Sequence, residues 1–262
     1  MDSPSPAPAS DEAIPAATLV VFRRAADGGA PEFLMVTRSR SLAFAGGMVV
    51  FPGGRVDPAD LALAATLETP LDAEEAAHRI AAIRETLEET GLAVGFADTI
   101  DAASAARARD LLLETGRLAT VLDDTGWRLE LDRLLPFARW HPKNEKLSRV
   151  FDTRFYLVDI GTGAVQVAVD ETENSRLFWS SASDTLAAAD RGELSVIYPT
   201  RRNLERLARF RDFDEAAEDC ARHPVRTVTP FLQERDGVTW LCIDDDLGYP
   251  VTGEPIDAAM RG

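Results

Sequence analysis

The segment Arg84–Leu92, RETLEETGL, sets three carboxylates at spacings of three and four residues. On an α-helix each residue advances about 100°, which puts Glu88 near −60° and Glu89 near +40° from Glu85, inside one arc of about 100°. Ile80, Ile83 and Leu87 fall at about 160–220°, on the opposite side. A helix of this pattern buries one face and presents three carboxylates on the other. The arrangement is electrostatically costly. The acids sit in the last turns, where the helix dipole disfavours negative charge, and they repel one another at i,i+3 and i,i+4 with no lysine between them. A solvated acidic face is the ordinary explanation of such a stripe. A bound divalent cation would relieve both penalties, and hard carboxylate oxygens suit Mg²⁺ or Mn²⁺.

Upstream, Phe51-Pro52-Gly53-Gly54 ends a short β-type run. Taken alone it is an ordinary Pro-Gly turn. Glycines also let backbone approach a ligand closely, and a carbonyl freed from sheet pairing can join a metal shell. The candidate metal ligands are therefore Gly54, Glu85, Glu88 and Glu89.

These groups need elements to position them. Thr18–Arg24 and Phe33–Thr37 read as an antiparallel strand pair around the turn Asp27-Gly28-Gly29, with a third run at Met48–Phe51. Asp72–Thr90 has helical periodicity and Gly91 stands where a left-handed cap would stop it. Ala102–Leu122 predicts one or two further helices. Strands are then expected at Phe151–Ile160, Val165–Val169 and Arg176–Trp179. Helices follow at Ser183–Asp190, Thr200–Phe210 and Asp214–Arg222, then strands at Val225–Phe231 and Val238–Ile243. Strands and helices interleave without regular alternation, which predicts an α+β fold or a mixed-sheet sandwich.

The chain has 262 residues, 28 basic and 44 acidic, with a net charge of −16 and an isoelectric point near 4.6. So acidic a surface repels nucleic acid and anionic lipid, and neither is expected as a partner. An anionic small molecule would need a local basic patch. The two lysines, Lys143 and Lys146, both lie in ARWHPKNEKLSR, with Arg139, His141, Arg149 and the aromatic Trp140. This reads as a basic loop with a stacking face, suited to a phosphorylated adenosine; solvated loop charge is the plainer alternative. Arg38 and Arg40 are second candidates for phosphate contacts. His78 reads as a surface histidine. Cys220 and Cys242 fit no metal spacing and read as reduced thiols of a cytoplasmic protein. Residues 1–15, with four prolines among small residues, read as a disordered tail, leaving 16–262 as a single domain with a helical insertion around 102–122. A homodimer is left open.

Together these motifs resemble the Nudix hydrolases, whose box runs Gly, five residues, Glu, seven residues, then Arg-Glu-hydrophobe-any-Glu-Glu-any-Gly-hydrophobe. Its second half matches at Arg84, Glu85, Glu88, Glu89, Gly91 and Leu92, with Thr86 in the hydrophobic slot. Gly54 is similar to the opening glycine. It lies about 30 positions before Arg84 where the box has about 14, so about 16 residues are inserted. Ala76 stands where the first glutamate is expected, beside Glu74 and Glu75. An interrupted box resembles the coenzyme A diphosphatase branch, as do Leu34–Asp60, Arg79–Gly91, Phe151–Leu157 and Phe178–Thr200. The resemblance implies an α/β/α sandwich with a mixed β-sheet and extra helices, Mg²⁺ or Mn²⁺ as cofactor, and hydrolysis of the pyrophosphate linkage of coenzyme A or acyl-coenzyme A. It implies that Arg84 orients a glutamate, Glu85 first, through a bidentate salt bridge, and that a helix glutamate or a later loop residue such as Glu173 is the general base. Two other readings stay open: the same chemistry on ADP-ribose or NADH, and a non-catalytic nucleotide-binding module, for which Ala76 is the only support.

Overall fold

A computed structural model describes residues 13–38, 47–142, 150–161 and 174–259. Its first strand, β1 (Ile14–Arg23), is the axis of a mixed sheet. β1 runs parallel to β6 (Phe151–Asp159), in register from Ile14↔Phe151 to Phe22↔Asp159. It is antiparallel to β2 (Glu32–Arg38) and to β4 (Gly53–Arg55). With β3 (Val49–Val50), β5 (Leu135–Trp140), β7 (Asn174–Ser181) and β8 (Thr227–Val228), the sheet has eight strands, ordered β3-β2-β1-β6-β5-β8, with β4 on β1 and β7 on β2.

Alternate residues of β1 enter opposite cores, as strand geometry requires. Ala17, Leu19 and Val21 pack with Ile80, Ile83 and Leu87 of α2 (Ala73–Thr90). Val20 and Phe22 join the other core, with Phe137, Leu204 and Leu207. Burial on both faces explains why β1 is an almost unbroken apolar run. The expected sandwich is therefore present. α1 (Pro58–Ala64), α2, α3 (Ala102–Thr115) and α4 (Leu118–Thr125) lie on one side. On the other are α6 (Tyr198–Leu207) and α7 (Phe213–Arg222), with α5 (Ala182–Asp190) leading from β7 into α6. A second sheet, β11 (Gly253–Pro255)-β10 (Val238–Cys242)-β9 (Phe231–Arg235), leads into a short α8 (Ile256–Ala259).

The acid helix begins where the Asp72 side chain accepts the Glu75 N–H at 2.7 Å. It ends at Gly91, left-handed at φ 70°, whose N–H returns to the Leu87 carbonyl at 2.9 Å. Thr86, the polar residue in a hydrophobic slot, is buried by turning its hydroxyl back onto the Ala82 carbonyl at 2.7 Å.

Several expectations need correction. The tail reading reached Pro15, yet Ile14 and Pro15 already pair with Phe151 and Asp152. Gly53-Gly54 is part of a strand rather than a simple turn. Val225–Phe231 is split between β8 and the start of β9, and the hairpin partner of β10 is Phe231–Arg235. The basic loop expected from Ala138 begins as strand instead, with Ala138–Trp140 in β5. His78 is 3% exposed, with Nδ1 at 2.8 Å from the Glu74 carbonyl, and burial holds its pKa below the usual histidine value. The strand expected at Val165–Val169 lies outside the described residues. Among the described residues no helix is long and apolar enough to cross a membrane.

Ile83 is fully buried and joins the acid helix to the sheet. Ile83→Ala is expected to lower stability by about 2–5 kcal/mol, the range for such a cavity, read as a shifted midpoint in urea unfolding.

Candidate active site

β4 approaches two neighbours at once, and only glycine permits it. A Cβ on Gly53 would stand 2.4 Å from the Ala17 carbonyl oxygen, and one on Gly54 would stand 2.3 Å from Glu85 Oε1. The first contact seats β4 on β1; the second lets the acid helix lay its carboxylate against the strand. The Gly53 N–H then donates to Glu89 Oε2 at 3.0 Å.

Arg84 ties the remaining acids together. Its Nε donates to Asp60 Oδ1 and its Nη2 to Asp60 Oδ2, both at 3.0 Å. Nη2 also donates to the Arg55 carbonyl at 2.9 Å. Nη1 reaches Glu85 Oε1 at 2.9 Å and Glu88 Oε2 at 3.4 Å. The bidentate partner is thus Asp60, not Glu85 as the sequence suggested; Glu85 receives a single contact. Asp60 is 1% exposed and also accepts the Asp57 N–H at 2.9 Å, which fixes it at the start of α1.

Asp60 is the functional residue the sequence reading missed. Counting forward from Gly54, the five residues Arg55–Ala59 bring the chain to Asp60, the place of the first acid in the box. Counting backward from Arg84 across the insertion led to Ala76, a residue with no exposure in the helix core. The insertion therefore follows Asp60 and contains most of α1 and the loop to α2.

Burial pushes the Glu85 carboxyl up to about 7, with the Glu88 charge adding to the rise and Arg84 opposing it. Among the described residues no group of three or more His, Cys, Asp or Glu side chains converges as a ready metal cage. The reason is visible in the contacts: Arg84 engages Glu85 and Glu88, and Glu89, 3% exposed, is turned to Gly53. Even so, the donors fit a hard cation: two part-buried carboxylates beside a glycine strand where a Cβ on Gly54 would meet Glu85.

Glu85 and Glu88 line a cavity of about 730 Å³, with Gly53, Gly54, Arg55 and Asp57 around them. Ile14, Phe151, Phe155, Ile197 and Pro199 add apolar surface to its lining. Arg38 also lines it, and its buried Nε has no hydrogen-bond partner among the described residues. Glu89 is not among the lining residues.

Trp140 is corrected by the structure. It borders the cavity but is 2% exposed. Its indole N–H faces Tyr249 Oη at 3.0 Å and its ring meets Tyr198 and Tyr249 edge-on, so it offers no open stacking face. Arg139 forms a two-point pair with Asp152 at 2.8 and 2.5 Å. Arg40, Lys143, Lys146, Arg149 and Glu173 lie outside the described residues.

No protein-family model matches the chain, and no curated protein does. Solved structures do. A Nudix hydrolase from Alicyclobacillus acidocaldarius is similar at 28% identity and a TM-score of 0.66, over 79% of this chain and 96% of that one. The Nudix domain of Shewanella oneidensis NrtR, complexed with ADP ribose, shares 12% identity at a TM-score of 0.45 over 76% and 87%. An Ap4A hydrolase from C. elegans shares 19% at 0.37 over 69% and 88%. The likeness to the Alicyclobacillus protein supports an assignment to the Nudix hydrolase superfamily, and the mixed sheet with its acid helix agrees with it. It is an enzyme of the diphosphatase type.

Asp60→Ala leaves Arg84 buried without its bidentate partner. The expected result is a loss of about 3–5 kcal/mol in denaturant unfolding, typical of a broken buried ion pair. A wild-type midpoint would mean that Asp57, Glu85 and Glu88 satisfy Arg84 unaided.

Proposed function

We propose that the protein is a Mg²⁺- or Mn²⁺-dependent diphosphatase that cleaves coenzyme A or acyl-coenzyme A into phosphopantetheine and adenosine 3′,5′-bisphosphate. The observation that carries this reading is a roomy cavity lined both by the Glu85–Glu88 carboxylate pair and by apolar side chains. Glu85 and Glu88, with the Gly54 carbonyl, would hold the ion. An ion held there would supply positive charge to offset that of the phosphoanhydride oxygens and would acidify a water.

The chain's own residues do the rest. Glu89 fastens Gly53, so β4 stays against the acid helix. Arg84, held by Asp60, keeps Glu85 and Glu88 from separating. Arg38, whose Nε has no hydrogen-bond partner among the described residues, is the candidate to meet a substrate phosphate. Ile14, Phe151 and Phe155 accept the uncharged part of the substrate, the pantetheine arm or the adenine ring. Glu173 is the candidate base among the later residues. The cysteines, both free and buried, suit a cytoplasmic setting. The case for a non-catalytic module rested on Ala76; with Asp60 bonded to Arg84, that ground is gone.

Two measurements test this. Hydrolysis is compared on coenzyme A, ADP-ribose and NADH with Mg²⁺ and Mn²⁺; coenzyme A is expected to be cut fastest, and a preference for ADP-ribose would overturn the substrate. Glu85→Gln is expected to lower kcat/KM by at least about 10²-fold, as several kcal/mol of metal-held charge stabilisation is lost, with the fold retained by circular dichroism. Wild-type turnover in that variant would remove Glu85 from the site.

A further inference from the structure

The acid helix carries its carboxylates at the end where its own dipole is negative. α2 has no basic residue in its last turn, and the carbonyls of that turn need partners from outside the helical ladder. Gly91 serves Leu87. The next N–H, that of Leu92, donates to Thr90 Oγ1 at 3.1 Å. The Glu88 carbonyl is reached from a different element: Arg109, on α3, donates its Nε–H to it at 2.8 Å.

α3 is a firm base for this contact. Its Asp101 side chain accepts the Ser104 N–H at 2.7 Å, and Gly116 closes it in the left-handed region. Ala108 and Leu112, on either side of Arg109, are buried in the core shared with α2. Arg107, on the same helix, is exposed and bonds Ser104 Oγ at 3.0 Å. Two arginines of equal charge thus have different roles: one stays on its own helix, the other crosses to the turn that bears Glu88.

We propose that Arg109 is a positioning residue of the cation site. By giving the Glu88 carbonyl a charged donor, it offsets the dipole end and holds the last turn of α2. The Glu88 carboxylate is thereby kept where a divalent ion meets it. The helical insertion is then a brace for the acid helix. This inference rests on the reading that Glu85 and Glu88 hold the ion. A guanidinium also repels a nearby cation, so loss of the contact and loss of the charge act in opposite directions. The contact wins, because it orders a ligand-bearing turn, whereas the charge is spread over the guanidinium and engaged by a carbonyl.

The test is Mn²⁺ binding without substrate, followed by the electron paramagnetic resonance signal of the free ion. Wild type is expected to bind and Glu88→Gln to bind more weakly. Arg109→Ala is expected to weaken Mn²⁺ binding about tenfold, the size seen when outer partners of metal ligands are removed. Arg109→Lys, which keeps a charged donor, is expected to recover most of that loss. Arg107→Ala removes the same charge from α3 and is expected to bind like wild type. Far-ultraviolet circular dichroism checks folding, and should Arg109→Ala not fold, Arg109→Gln compared with Arg109→Lys decides the matter. Mn²⁺ binding in a folded Arg109 variant that equals or exceeds wild type, with wild type binding normally, overturns the role of Arg109 alone. No binding by wild type overturns the ion reading and this inference with it.

Discussion

A buried guanidinium surrounded by carboxylates holds this site together. Arg84 stands at the meeting of three segments: α1 through Asp60, β4 through the Arg55 carbonyl, and its own helix through Glu85 and Glu88. Clustered acids in a part-buried cleft would otherwise separate or take up protons. One planar cation with several donors in a fixed fork can satisfy a bidentate acid and still reach two others. The cost of desolvating Arg84 is met by that many contacts. An Arg84 held this rigidly keeps Glu85 and Glu88 close to one another and to β4.

The same logic governs the strand beside the helix. β4 is pinned to β1 at Ala17↔Gly54 and Thr18↔Gly53, so its position relative to the sheet is set by pairing. The acid helix is set by burial of Ile80, Ile83 and Leu87 against β1. Both parts of the site are referred to one central strand, and the glycines leave out Cβ atoms that would clash where they meet. The cavity results from this geometry: its lining takes Glu85 and Glu88 from α2, Gly53 and Gly54 from β4, and Ile14 and Phe151 from the paired starts of β1 and β6.

The insertion in the box bears on this arrangement without disrupting it. Inserted after Asp60, it leaves intact the short stretch from Gly54 to Asp60 that feeds Arg84. The added residues form most of a helix packed on α2 and a loop. The helices at Ala102–Thr115 and Leu118–Thr125 likewise add mass to the outside of the acid helix, sharing its core through Leu112, Leu118 and Val121. A site that needs several acids held close is served by bulk behind the element that bears them.

How much could be read from the residues follows from range. The acid helix, its left-handed stop at Gly91 and most of the later helices are local: periodicity and caps act within a few residues, so each stretch, RETLEETGL among them, determined its own element, and their order along the chain determined the interleaved fold class. The family resemblance likewise followed from contiguous spacing. What the tertiary structure alone decided depends on partners distant along the chain. That Arg84 takes Asp60 as its bidentate partner, that Glu89 turns to Gly53, and that Trp140 is covered by Tyr198 and Tyr249 are long-range contacts, and side-chain type is silent on them. His78 was misread for the same reason: its angle on α2 says which neighbours it has along the helix, while burial is decided by what packs over that face. Local physics names the groups that can do chemistry; the packing of remote segments decides which of them face the cavity, because only folding brings the competing partners within reach.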